Sequence, residues 1–177
     1  MEPCMSANSR KIDVLHCDEK GKQVRAEETV CEFSLQLFVN NRKITTLRCS
    51  PDNLEALTTG FLASEGIIRG KEEIRELAID EESGIAAVMT TRDCVENRET
   101  APEEMQPAMH LTREQFLSLC RRFQESSVLH RATNAAHSAA LCRPGEIVVF
   151  AEDIGRHNAV DRAIGGCILK GLSPVGM

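Results

Sequence analysis

Tryptophan and tyrosine are both absent from the 177-residue chain, and six phenylalanines supply all of its aromatic bulk. A core must therefore be built from Leu, Ile, Val, Ala and Met, and no Tyr or Trp is on hand to stack on nucleobases. Runs of Lys or Arg are missing as well. With a formal net charge of -6, the chain lacks the basic footprint of a general nucleic-acid binder, although one local basic spot could still hold an anionic small molecule. No apolar stretch approaches the roughly 18 residues that a membrane-spanning helix needs. The segment MEPCMSANSRKIDVLHCDEKGK has none of the apolar character of a secretory leader. The expectation is a cytoplasmic protein with no membrane and no nucleic-acid partner.

The eight cysteines, at 4, 17, 31, 49, 94, 120, 142 and 167, never form Cys-x-x-Cys or Cys-x-x-His. That spacing excludes a local zinc knuckle or a thioredoxin-type dithiol, and no metal site is expected. In a reducing compartment most of these thiols stay reduced. Cys120 and Cys167 fall on apolar helical faces, where cysteine acts as a small hydrophobe.

What is present is ordinary for a folded chain: 42% apolar and 27% charged residues, at a length that buries roughly 70% of the extended-chain surface. Residues 1–28 are polar and without period, and read as a tail or a weak first strand. Residues 29–91 read as hairpin, helix, hairpin. Phe33, Leu35, Leu37 and Val39 alternate with neighbours, Asn40-Asn41 suits a tight turn, and Lys43 to Cys49 returns. Ser50-Pro51-Asp52 offers an N-cap, a first-turn proline and an acid for a helix carrying Leu54, Leu57, Phe61 and Leu62, stopped at Gly66. Ile74 to Ile79 and Ile85 to Met89 make the second hairpin. Residues 92–110 mix charge with prolines and read as a connection. Residues 111–177 then open on a helix with a Thr112/Gln115 capping box. A small polar stretch from His130 to Leu141 follows, with a turn at Cys142 to Gly145. The apolar strand Glu146 to Ala151, a turn, and a helix ending near Gly171 complete the series.

Chemistry concentrates in that last turn. Glu152, Asp153, Gly155, Arg156, His157 and Asn158 place two acids, a guanidinium, an imidazole and an amide beside a flexible glycine. Arg156 can fork onto a phosphate or carboxylate, the helix beyond it presents free N–H groups, and His157 can move a proton near neutral pH. The alternative is that Asp153 or Asn158 caps the helix while Arg156 pairs with Glu152. His137, among small neighbours that allow close approach of a ligand, is either a second site imidazole or a satisfied core or cap histidine.

AEDIGRHNAVDRAIGG at 151–166 resembles the Glu-Asp-x-Gly-Arg-His-Asn-Ala-x-Asp signature of the formate dehydrogenase accessory sulfurtransferase family, FdhD/NarQ. Thr133 to Leu141 is similar to its Thr-Gly-Gly-x-His-Ala-Ala segment, and Gly60 to Ile68 to its Gly-Phe-Leu-x-Ser-Glu-Gly-Ile-Ile, so three blocks match in order. The resemblance implies an α/β fold, with an α+β N-terminal part and a cytidine-deaminase-like layered sheet with helices. It also implies a cytoplasmic and often dimeric protein. In that family, sulfur passes from a cysteine desulfurase persulfide to a molybdenum–guanine dinucleotide cofactor that formate dehydrogenase requires. His137, Glu152, Asp153, Gly155, Arg156, His157 and Asn158 are then the expected cofactor-binding residues.

Two departures bear on mechanism. Where many members carry Cys-x-x-Cys, this chain has Thr90-Thr91-Arg92-Asp93-Cys94, which makes Cys94 the expected sulfur carrier. A nucleophilic thiolate needs its pKa drawn below roughly 8.5; Arg92 and Arg98 act in that direction, Asp93 and Glu96 against it, and the alternative is an incidental surface cysteine. Members also continue through a Ser-Gly-Arg segment and a further strand-helix unit, so the expectation is a fragment or a shortened homologue with a truncated C-terminal domain. The competing functional reading is a non-catalytic module that holds the cofactor or chaperones the apo-dehydrogenase. Zinc-dependent deamination fails for want of a His-x-Glu with Pro-Cys-x-x-Cys.

Overall fold

A computed structural model describes residues 8–19, 21–91 and 109–177. In it β3 (Phe33–Val39) and β4 (Arg42–Cys49) form the expected hairpin. Its turn is made by Asn40 and Asn41 at φ 47° and 63°, the left-handed pair that a two-residue hairpin turn demands. Leu35, Leu37 and Val39 point inward and are buried to 2% exposure or less. Their period of two turns one face of the sheet into a core, each side chain adding about 1.5–3 kcal/mol. The second hairpin, β5 (Ile74–Asp80) and β6 (Ile85–Thr90), joins through β6, which runs parallel to β3 and gives the order β4-β3-β6-β5.

Across this sheet lies α1 (Leu54–Ser64), whose Leu54, Leu57 and Leu62 close the core against Leu35, Leu37, Ala86 and Val88. Its cap is not the expected Ser50-Pro51-Asp52 but Asn53, left-handed at φ 38°, whose Oδ1 accepts from Ala56 N at 3.3 Å. Ser50 is diverted to a longer-range partner described below. The stop at Gly66 (φ 69°) is as expected.

The second unit contains α2 (Arg113–Ser126), α3 (Val128–Thr133), β7 (His137–Arg143), β8 (Glu146–Asp153) and α4 (Arg156–Leu169). α2 carries the full Thr112/Gln115 capping box. β7 and β8 pair antiparallel. On one face, Val149 and Ala151 pack against Ala163 and Cys167 of α4. On the other, Phe150 meets Phe123 of α2 edge to face at 5.6 Å. Neither α3 nor β7 was expected, since His130 to Leu141 has no clear period. Pairing with β8 and a carboxylate cap from Glu152 supply what local sequence does not.

The two units meet where α1 crosses α4. A Cβ at Gly60 would stand 1.7 Å from the Asp161 carbonyl oxygen, and one at Gly165 would stand 1.9 Å from that of Ala56. The helices therefore touch backbone to backbone, which only glycine allows at these two positions.

The first ribbon differs most from expectation. Where residues 1–28 read as a tail or weak strand, β1 (Ser9–Asp18) and β2 (Gly21–Val30) form a ten-rung antiparallel hairpin. It shows no apolar alternation because most of its residues remain exposed and none is fully buried, so its pairing leaves no hydrophobic imprint. The mixed α and β architecture agrees with the expected α/β class. No helix of the described residues is long and apolar enough to cross a membrane.

Candidate functional site

The site is assembled where β8 ends and α4 begins. Asp153, the last residue of β8, is fully buried. Its Oδ1 accepts from Gly155 N at 2.8 Å and from Asn158 Nδ2 at 3.0 Å. Its Oδ2 accepts from Ser50 N at 3.1 Å and pairs with the Arg162 guanidinium one turn further along α4. A buried carboxylate with so many donors is compensated and rigid. Ser50 completes the knot: its Oγ accepts from Ile154 N at 3.0 Å, and its carbonyl accepts from Arg162 Nη2 at 3.1 Å. Asn158 reaches the same N-terminal segment by donating to the Arg48 carbonyl at 2.6 Å.

Glu152 is engaged from the other side. Its carboxylate accepts from the backbone N–H groups of Leu129 and His130 at 2.8 and 2.9 Å and from Ser138 Oγ at 3.2 Å. It thus satisfies the open donors of the first turn of α3 from a neighbouring strand. Gly155 has no room for a side chain, because a Cβ would lie 2.7 Å from Asn158 Nδ2.

The seven clustered positions therefore divide. Glu152 and Asp153, expected to line a cofactor site, have both carboxylate oxygens bound by the protein itself, and Asn158, expected there too, has its Nδ2 bound. Arg156 and His157 at the start of α4 are exposed and make no hydrogen bond or ion pair among the described residues. His137, also exposed, opens β7 directly opposite Asp153 in the β7/β8 register. One guanidinium and two imidazoles thus stand at the same end of the β7–β8 unit, around a turn locked by Asp153. Arg156 does not pair with Glu152. The arrangement can hold an oxyanion by charge-assisted hydrogen bonds and present an imidazole to a proton in transit.

Cys94 lies outside the described residues. Among those described, Cys17, Cys49, Cys120, Cys142 and Cys167 are free thiols and Cys31 is in a disulfide. Burial raises the thiol of Cys49 to about 12, with the nearby Asp153 charge pushing the same way. Burial also pushes up Cys142 and Cys167. A thiol so held is a poor nucleophile at neutral pH, so these three have the character of packing residues.

Sequence reasoning missed Arg162, Ser50 and the Arg48 carbonyl. Arg162 follows Asp153 by nine positions on another element, and Ser50 precedes it by 103; no periodicity carries such a pairing. A buried acid and base were legible only as an Asp and an Arg in one motif-rich segment.

A family model for FdhD/NarQ matches residues 30–176. The sulfur carrier protein FdhD of Bacillus licheniformis is 38% identical over 176 residues, covering 85% of this chain and 66% of that relative. Its namesake in Bacillus pumilus is 33% identical, covering 93% and 72%. A crystal structure described as that of a formate dehydrogenase accessory protein from Desulfotalea psychrophila superposes with a TM-score of 0.83 at 29% identity, over 94% of this chain and 72% of that one. The chain thus spans about two thirds of the length of its B. licheniformis relative. With the family model matched across nearly all of both units, and with the glycine-locked turn and its buried acid lying inside the match, this chain belongs to the FdhD/NarQ family.

Proposed function

We propose that the protein is a sulfur carrier that takes persulfide sulfur from a cysteine desulfurase and passes it to a molybdenum–guanine dinucleotide cofactor destined for formate dehydrogenase. The relatives' name, sulfur carrier protein, supports the class of activity. The observation that supports this chain's part in it is the exposed trio Arg156, His157 and His137 around a rigid turn. The nucleotide's phosphates suit the guanidinium of Arg156 bidentately. His157, one residue into α4, and His137, at the head of β7, suit the polar edge of the attached ring system. Asp153, Asn158 and Ser50 fix the backbone that aims them. Cys94 is the sulfur carrier in this reading: its thiolate attacks the terminal sulfur of the desulfurase persulfide, that sulfur moves to Cys94, and the desulfurase cysteine leaves as thiolate.

Incubation with a cysteine desulfurase and free cysteine, followed by intact-mass spectrometry under non-reducing conditions, tests the proposal. The expected product is the chain plus one sulfur atom, located on the Cys94 peptide and absent in Cys94→Ala. Persulfide on another cysteine in that variant rejects the assignment. Full complementation of an accessory-deficient strain by Cys94→Ala favours instead a module that binds without transferring sulfur.

A further inference from the structure

A cavity whose lining excludes the trio lies between the edge of β8, the entry to α1 and the C-terminal half of α4. It has a volume of about 550 Å³ and is lined among others by Asn53, Val148, Phe150, Arg162, Gly166 and Lys170. That volume is within the roughly 300–1,000 Å³ range of small-molecule sites. Arg162 is 3% exposed, and Asp153 and the Ser50 carbonyl both bind its Nη2. Its Nε and Nη1 are buried and have no acceptor. A buried guanidinium that keeps three of its five N–H groups unbound has given up their hydration without replacing it. Such a group gains most when an acceptor enters beside it.

We propose that this cavity is a binding site for a small oxyanion group, a phosphate or a carboxylate, that accepts from the free edge of Arg162. The charges around the cavity balance, Asp153 against Arg162 and Asp52 against Lys170, so the preference for an oxyanion rests on the unbound N–H donors of Arg162. Lys170 Nζ donates at 3.2 Å to the Val148 carbonyl, so it sits at the β8 edge within reach of an incoming anion. The apolar stretch of β8 gives room for an uncharged body attached to that anion. The site shares Arg162 with the knot around Asp153, but none of its named lining residues belongs to the trio, so it does not rest on the persulfide reading.

The Nε–H resonance of Arg162 in a ¹H–¹⁵N correlation spectrum, assigned by its loss in Arg162→Lys, reports directly on occupancy. Inorganic phosphate and acetate are titrated separately at constant ionic strength, and the anion that moves the resonance identifies the preferred chemistry. A saturable shift with half-occupancy near about 1 mM is expected. Lys170→Glu should weaken it about fivefold, as reversal of a rim charge does, while Arg156→Ala leaves it unchanged. Should Arg162→Lys fail to fold, the resonance is assigned in the parent chain by through-bond side-chain correlation, and the Lys170→Glu comparison then carries the test. Absence of a saturable shift with both anions overturns the proposal, and so does a shift that disappears in Arg156→Ala, which would place the anion at the turn instead.

Discussion

Four donors converge on the carboxylate of Asp153: Gly155 N, Asn158 Nδ2, Ser50 N and the Arg162 guanidinium. Replacing it by Asn keeps the shape, removes the counter-charge from a guanidinium that is 3% exposed, and turns an NH₂ toward N–H groups. Asp153→Asn should therefore lose about 3–5 kcal/mol, read as a fall in the urea midpoint at unchanged slope. Asp161, on α4, is held by fewer partners. Half-buried, it is raised above the ordinary carboxylate value by desolvation, against the Ser64 hydroxyl that donates to it at 2.6 Å and the nearby His157. Its folded-state pKa thus exceeds its unfolded one, so its contribution favours folding below the ordinary aspartate pKa of roughly 3.9 and is lost as pH rises through the raised value. An Asn at this position accepts the same Ser64 hydrogen bond without a charge to desolvate. Asp161→Asn is expected to be more stable than the parent at pH 7 and to show no such gain at pH 3, as measured by urea titrations at the two values.

Helices and strands with their own periodicity were legible, and those that borrow their stability were not. β3 shows its inward Leu35, Leu37 and Val39, α2 its capping box, and the β3–β4 turn its paired asparagines, all within a few residues of chain. α3 has six residues and no local cap; Glu152, more than twenty positions away, caps its first turn. β7, His137-Ser-Ala-Ala-Leu-Cys-Arg, has no β-branched or aromatic residue and becomes a strand because β8 supplies its ladder. The candidate site split in the same way. The exposed trio could be named from residue type, while the inward roles of Glu152, Asp153 and Asn158 depend on partners no local pattern reveals. The closest contact between elements, α1 on α4, is likewise carried by two glycines that look incidental in sequence. A methyl group at Gly60 meets the Asp161 carbonyl of the opposing backbone, which cannot swing aside as a side chain would. Gly60→Ala should accordingly cost about 3 kcal/mol or more despite its gain in helix propensity. Thermal denaturation beside a Gly66→Ala control, where the space is open and only φ 69° is strained, separates the clash from backbone strain.

At the scale of the whole molecule, the site exists only because two separately cored units are fastened together. The sheet-and-α1 core of Leu35, Leu37, Leu57 and Val88 shares no buried residue with the β8–α4 core of Val149, Ala151, Ala163 and Cys167. The connection is polar and close-fitting: Ser50 and the Arg48 carbonyl at the end of β4 hold Asp153, Ile154, Asn158 and Arg162, and the glycine crossing aligns α1 with α4. Opening that seam exposes a buried ion pair as well as apolar surface, so neither unit gains by separating first. Native-state hydrogen exchange should then show the amides of β3, β6, β8 and α4 opening with one shared free energy. Those of β1 and β2, an exposed ribbon with little apolar cover, should exchange through a much cheaper local opening. Ser50→Ala supplies the decisive comparison. It removes the acceptor of Ile154 N and leaves Ser50's backbone bonds to Asp153 and Arg162 intact. If the seam makes the two units one cooperative body, the slow amides of β3 and β8 lose protection together, by about 1–2 kcal/mol. Loss confined to β8 and α4 would mean that the units unfold independently and that the turn bearing Arg156 and His157 is held by its own half alone.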